Sequence, residues 1–269
     1  MAWPEVTFRD WDHFLRMVSS LTVGSPFGTT YLFRGQSDAG WQLKPSLLRY
    51  LPTNATPEEA LTIERDSMRD FGSQAQLHVG TGFLPSGPAT LPWLALMQHY
   101  GCPTRLLDWT KSPFVAAYFA VEQGWDHDGA IWLFHARDMH ARMSKDFADV
   151  NMKVEPEFSR YLTDPKAEPS LQTLFPNRLT ERMVAQQGVF TFSPFILGKP
   201  DKIIEDALSP LCPREDRGEV YHKVVVSREL KPKFLRMLRT MNVTAASLFP
   251  GADGLGRSVS EAVKLAAHK

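Results

Sequence analysis

The stretch from Gln98 to Ala120 constrains this chain more than any other. Within it a helix ends at Gly101, a short strand follows, and Ser112-Pro113 opens a second helix. That second helix carries Phe114, Ala117, Tyr118 and Val121 on one face. A helix end, a short strand and a helix start thus converge in one place.

The other elements mix strands and helices without strict alternation. Trp11, Phe14, Leu15 and Val18 mark an amphipathic N-terminal helix over 7–21, with Thr7 and Asp10 as its capping box. Thr29 to Phe33 reads as a strand that Arg34-Gly35-Gln36 follows. Thr56-Pro57-Glu58-Glu59 starts a helix with Leu61, Glu64, Met68, Phe71 and Ala75 along one face. Residues 78–92 read as a loop, and Leu94 to Tyr100 as a helix. Further strands are expected at 130–135, 189–192 and 220–226, and helices at 179–186, 232–241 and 259–267. Residues 140–172 look like an irregular insertion. The expected fold class is α+β: a mixed, mostly antiparallel sheet with flanking helices, in one domain over 1–269 whose core spans about 29–255.

Composition removes several function classes. Thirty Lys and Arg offset thirty Asp and Glu, which argues against strong non-specific nucleic-acid binding but leaves room for a local basic groove. Two cysteines, Cys102 and Cys212, are too few for a disulfide scaffold or a cysteine-rich zinc site. His135 and His140 lack a third ligand nearby, so no metal is expected. The charged N-terminus does not fit a signal peptide, and no apolar run reaches the ~18 residues that suggest a membrane span. The expected location is the cytoplasm, with no membrane partner. There is no P-loop or HExxH motif, and Gly80-Thr-Gly82 has no strand before it to make a dinucleotide fingerprint.

Three places carry unusual polar residues. Arg34 beside Gly35 suits a phosphate or carboxylate ligand, since glycine permits close backbone approach. The segment from Gln98 to Thr110 crowds polar and aromatic side chains, and the helix start after it favours anions. Gln186-Gln187-Gly188 places two amides before a strand. These segments are expected to meet in one pocket. Arg105 is expected to be buried and paired, with Asp108 as its nearest carboxylate in sequence.

Tyr31-Leu-Phe-Arg-Gly-Gln36, Gln98-His-Tyr-Gly-Cys-Pro-Thr-Arg-Leu-Leu-Asp-Trp109, Gln187-Gly-Val-Phe190, Ser247-Leu-Phe-Pro250 and Asp253-Gly254 together resemble the FRG domain, named for its Phe-Arg-Gly motif. The order of parts is also similar to the toxin-type ADP-ribosyltransferases, so the resemblance implies an ADP-ribosyltransferase-like fold. Arg34 stands at their early-strand arginine, Thr110 to Ser112 at their Ser/Thr strand leading into a helix, and Gln186 or Gln187 at their late-strand Glu or Gln. No Glu-x-Glu or Gln-x-Glu pair occurs there.

The resemblance implies an NAD-dependent transferase acting as a toxin or anti-phage effector. NAD would be the substrate, a nucleic acid such as mRNA or a protein the acceptor, and an antitoxin protein a neutralising partner. Arg34, Thr110, Ser112 and Gln187 would be catalytic. Arg34, Gly35, Gln36, His99, Tyr100, Tyr118, Phe119 and Gln186 would bind NAD. Two other classes stay open: a non-catalytic sensor of nucleotides or RNA, and a hydrolase using His99, Asp108 and Arg105.

Overall fold

Runs rich in Val, Tyr, Phe and Trp assemble into a seven-stranded sheet among the described residues, which are 3–22, 30–80, 82, 84–85, 90–143, 162–174, 180–211 and 220–268 of a computed structural model. The strands are β1 (Glu5–Thr7), β2 (Tyr31–Gln36), β3 (Leu107–Thr110), β4 (Gly129–His135), β5 (Gln172–Leu174), β6 (Gly188–Phe192) and β7 (Tyr221–Val226), in the order β1-β7-β4-β2-β3-β6-β5. Only β1 and β7 pair in parallel. The other neighbours run antiparallel. The fold is therefore α+β with a mixed, mostly antiparallel sheet and flanking helices.

The helices are α1 (Trp11–Thr22), α2 (Ser46–Tyr50), α3 (Pro57–His78), α4 (Thr90–His99), α5 (Pro113–Val121), α6 (Ala136–Met143), α7 (Glu181–Ala185), α8 (Pro200–Leu208), α9 (Lys231–Thr240), α10 (Ala245–Leu248) and α11 (Ala252–Ala267). Thr56 caps α3 with the full capping box, Glu59 answering its backbone N–H. Ser112 caps α5 by accepting from Val115 N. The cap of α1 differs from expectation: Asp10 Oδ1 accepts from His13 N, while Thr7 belongs to β1 and pairs with Val225.

Alternation along the strands feeds two cores. Phe33, Ile131, Leu133, Val224 and Val226 meet α5, α9 and α1 on one face, with Phe14, Tyr118 and Phe234 fully buried there. Leu32, Trp109, Trp132 and Phe134 meet Ile204 and Leu208 of α8 on the other. A third cluster joins Leu94 and Met97 of α4 to Leu106, Phe190 and Phe192.

Several elements were not expected. The short, exposed β1 pairs with a strand from the far end of the chain. Helix α8 has no counterpart among the expected elements, and α11 begins at Ala252 rather than 259. Of the expected insertion over 140–172, residues 144–161 lie outside the described residues, and β5 starts at Gln172. The expected loop over 78–92 lies partly outside them too, and α4 already begins at Thr90. Cys212 also lies outside them.

A buried lysine joins the sheet to α5. Lys231 Nζ donates to Ser37 O at 2.6 Å, Gly124 O at 2.7 Å and Gln123 O at 3.1 Å, and burial pulls its pKa down to about 8. Lys231→Met keeps much of the volume and removes all three donors. It is expected to lower stability by about 1–3 kcal/mol, read by urea denaturation.

Candidate functional site

The site lies where the sheet is least continuous. β2 pairs with β4 at six register positions but with β3 only at Phe33↔Thr110. Past that point, the Asp108 carbonyl accepts from Arg34 Nη1 at 2.7 Å. The guanidinium thus occupies the place of a strand-to-strand hydrogen bond.

Arg34 does not follow the strand, as its sequence suggested. The strand continues through Arg34, Gly35 and Gln36. Its side chain is 18% exposed, its Nη1 lies 3.7 Å from Asp108 Oδ2, and its buried Nε has no hydrogen-bond partner. Burial pushes the Arg34 pKa below its ordinary value; Asp108 opposes that shift and nearby Arg49 reinforces it.

Asp108 is 57% exposed and is held from the other side. Gln98 Nε2 donates to its Oδ2 at 2.9 Å, and Gln98 Oε1 accepts from Thr104 Oγ1 at 2.6 Å. Thr104 and Gln98 therefore fix an outward-facing carboxylate beside a cation with donor capacity to spare.

Arg105 is buried as expected, but its partner is Glu64 of α3 and not Asp108. Nε lies 2.9 Å from both Glu64 carboxylate oxygens, Nη2 donates to Oε2, and Nη1 donates to Pro194 O at 3.0 Å. Asp108 lies three positions after Arg105, but it faces outward on β3 while Arg105 turns inward ahead of it. Asp108 is thereby left free of a structural duty to Arg105.

The three polar segments lie on the adjacent strands β2, β3 and β6 and the turns beside them. Thr110 Oγ1 donates to Gln186 O at 2.7 Å and accepts from Ser112 N at 3.0 Å. Lys111 N donates to Gln187 O at 3.2 Å, and Gln186 Nε2 donates to Leu248 O at 3.0 Å. Gln187 is exposed in the left-handed region, with φ 49°. Thr110, Ser112 and Gln186 therefore brace the turn, and Gln187 is the member of this group that faces outward.

Other expected site residues serve packing. A Cβ on Gly35 would lie 1.9 Å from Ala116 O, so this glycine admits helix α5 and not a ligand. Gln36 is buried, accepts from Trp132 Nε1 at 2.6 Å and donates to Gln42 O at 3.3 Å. Tyr118 is fully buried and donates its hydroxyl to Glu261 Oε1 on α11, so it cannot wall an open slot. Half-buried Phe119 meets Phe249 edge-on at 6.0 Å.

His99 Nδ1 lies 3.4 Å from Thr180 Oγ1, and burial, then Arg182, hold its pKa below the usual histidine range. Tyr100 sits edge-on against His99 at 4.9 Å. Tyr100 also lines a groove of about 420 Å³ with Phe71 of α3 and Met97 of α4, whose lining does not include Arg34. Among the described residues, no group of three His, Cys, Asp or Glu comes together to hold a metal, and no helix is long and apolar enough to cross a membrane.

Residues 29–129 match the FRG domain. The matched stretch holds Arg34, the Gln98–Thr104–Asp108 relay, Arg105 and α5. It ends before β6, so the turn at Gln186–Gln187 that completes this corner lies outside the FRG match. No curated protein and no solved structure matches the chain.

Arg49, Arg182 and Phe249 were not among the expected site residues. Arg49 had no motif around it. Phe249 stood in the quoted Ser247-Leu-Phe-Pro250 without a role.

Proposed function

We propose that this protein is an NAD-dependent ADP-ribosyltransferase in which Arg34 binds the pyrophosphate of NAD and Asp108 faces the ribose. One observation carries the reading: a mostly buried guanidinium with an unpartnered Nε stands beside an exposed carboxylate at the gap between β2 and β3. A buried donor without a partner is costly, and an anionic ligand would satisfy it.

The chemistry needs charge of both signs. When the bond between nicotinamide N1 and ribose C1′ breaks, the electron pair leaves with nicotinamide. Positive charge then develops on C1′ and the ring oxygen. A fixed carboxylate stabilises that charge, and Asp108, held by Gln98, is placed to supply it. The acceptor nucleophile then bonds C1′ and gives its proton to water. Exposed Gln187 supplies an amide for the ribose hydroxyls or the nicotinamide amide. Thr110, Ser112 and Gln186 act by holding that turn.

A non-catalytic nucleotide or RNA sensor is the second reading. It is favoured by the lack of a Glu-x-Glu or Gln-x-Glu pair at 186–187, which leaves the acidic residue of the resemblance unassigned.

Nicotinamide release from NAD, together with the thermal shift NAD induces, separates the two. Arg34→Ala is expected to abolish the NAD-induced shift while apo melting moves little. Asp108→Asn keeps an acceptor for Gln98 and is expected to keep the shift but slow nicotinamide release about 100-fold. A wild-type protein that binds NAD and releases no nicotinamide would establish the sensor. Absence of any NAD-induced shift would remove both NAD readings.

A further inference from the structure

Beside the Asp108 corner, two arginines share one aromatic ring. Arg182 of α7 and Arg257 of α11 lie over Phe249, with guanidinium carbons 4.8 Å and 4.6 Å from its centroid. Both arginines are exposed. Like charges side by side on the surface are unfavourable, and Arg257 acts on Arg182 in this way: the Arg182 pKa is depressed first by burial and also by Arg257, with Asp108 opposing.

The ring holds these cations in place without neutralising them, as an ion pair would. The acidic groups facing them are Asp108 and Glu122. Burial pushes the Glu122 carboxyl above the usual carboxylate range, which weakens it as a counter-charge, although a hydrogen bond from the Tyr118 hydroxyl works in the opposite direction.

Further cations act electrostatically on the same groups: Lys264 on Glu122, and Arg49 on Arg34. His99, whose Nδ1 lies 3.4 Å from Thr180 Oγ1 at the N-cap of α7, packs edge-on against Tyr100, which is 53% exposed. Two ring-held arginines with an exposed aromatic residue nearby, in electrostatic reach of the Asp108 carboxylate, form the surface that a flexible polyanion with flat bases requires. A folded protein acceptor would present no regular array of anions to match it.

We propose that the strip Tyr100–Arg182–Arg257 binds single-stranded nucleic acid, with Arg182 and Arg257 on its phosphates and Tyr100 stacking a base. The strand's role as acceptor rests on the transferase reading above; its binding does not. The neutral overall charge is compatible with this, because the cations are local.

The test is fluorescence anisotropy of labelled single-stranded RNA and DNA, each of about 12 nucleotides, with the full chain at salt from about 50 to 200 mM. The wild type is expected to bind. Arg182→Glu/Arg257→Glu is expected to weaken binding at least about tenfold and to reduce the salt slope by about 1.4, two contacts' worth for a single strand. Arg182→Lys/Arg257→Lys is expected to retain most of the affinity. Arg182→Gln/Arg257→Gln gives the same reading should charge reversal lower the melting temperature.

Preference for RNA or DNA over the other identifies the natural strand. No binding at the lowest salt, or binding that charge reversal leaves unchanged, overturns the proposal. NAD turnover with label only on protein overturns the acceptor role. Strand binding without nicotinamide release overturns the transferase reading and leaves this site standing.

Discussion

Glu64→Ala is expected to lower the unfolding free energy by about 3–5 kcal/mol, because it strands a buried guanidinium. The Arg105 side chain is 2% exposed and that of Glu64 is 5% exposed, so water cannot replace the missing partner. Glu64 receives Nε and Nη2 of Arg105, and only the bond from Nη1 to Pro194 O would survive. At about 2–4 °C per kcal/mol for a chain of this size, the melting temperature falls by roughly 10 °C. Asp108→Ala is the matched control. It removes an exposed carboxylate that Arg105 does not touch, so its cost is held to about 1 kcal/mol. Thermal denaturation of the two variants decides the matter. Equal melting temperatures would mean that Arg105 finds another partner, and the ion pair would not organise this region.

That pair also marks what the sequence made legible. Glu64 stands among Leu61, Met68, Phe71 and Ala75 on the face that α3 turns inward. A carboxylate within an apolar stripe needs a cation, and Arg105 needed an anion. Nothing in the one-dimensional pattern joined residues 41 apart, so nearness in sequence favoured Asp108. The true pairing depends on how α3 packs beside the segment leading into β3. The same limit hid β1, whose three exposed residues carry no strand signal and gain their partner only through β7.

Local signals fared better where short-range physics decides. The caps at Thr56 and Ser112, the helix ending near Gly101 and the strands β4, β6 and β7 follow from side chain to backbone bonding and hydrophobic period. At the site, Arg34, Gln98 and Asp108 were visible as unusual residues, but their roles were not. Gly35 beside Arg34 suggested ligand approach, because a sequence cannot show which neighbour a glycine admits.

Gly35→Ala is expected to be the most damaging single change, costing more than about 4 kcal/mol and leaving little folded protein. The added methyl would lie 1.9 Å from Ala116 O, 2.8 Å from Ala120 N and 2.8 Å from Phe119 Cβ. Two of these atoms are backbone, so no side-chain rotation relieves the overlap and α5 must lift from β2. Ala116, Ala117 and Ala120 are fully buried along that helix, which shows how closely it lies against the sheet. Lifting it would open the core around Phe33 and displace Arg34, the residue before Gly35, from Asp108. Gly256→Ala in α11 is the contrast: a Cβ there meets nothing within 4 Å, and removing a helical glycine is expected to be neutral or to stabilise by about 0.5–1 kcal/mol. Soluble yield, circular dichroism and melting of the two variants test this directly. A Gly35→Ala protein that melts like the wild type would show that α5 and β2 are not in close contact, and the Phe-Arg-Gly glycine would return to consideration as a ligand-facing residue.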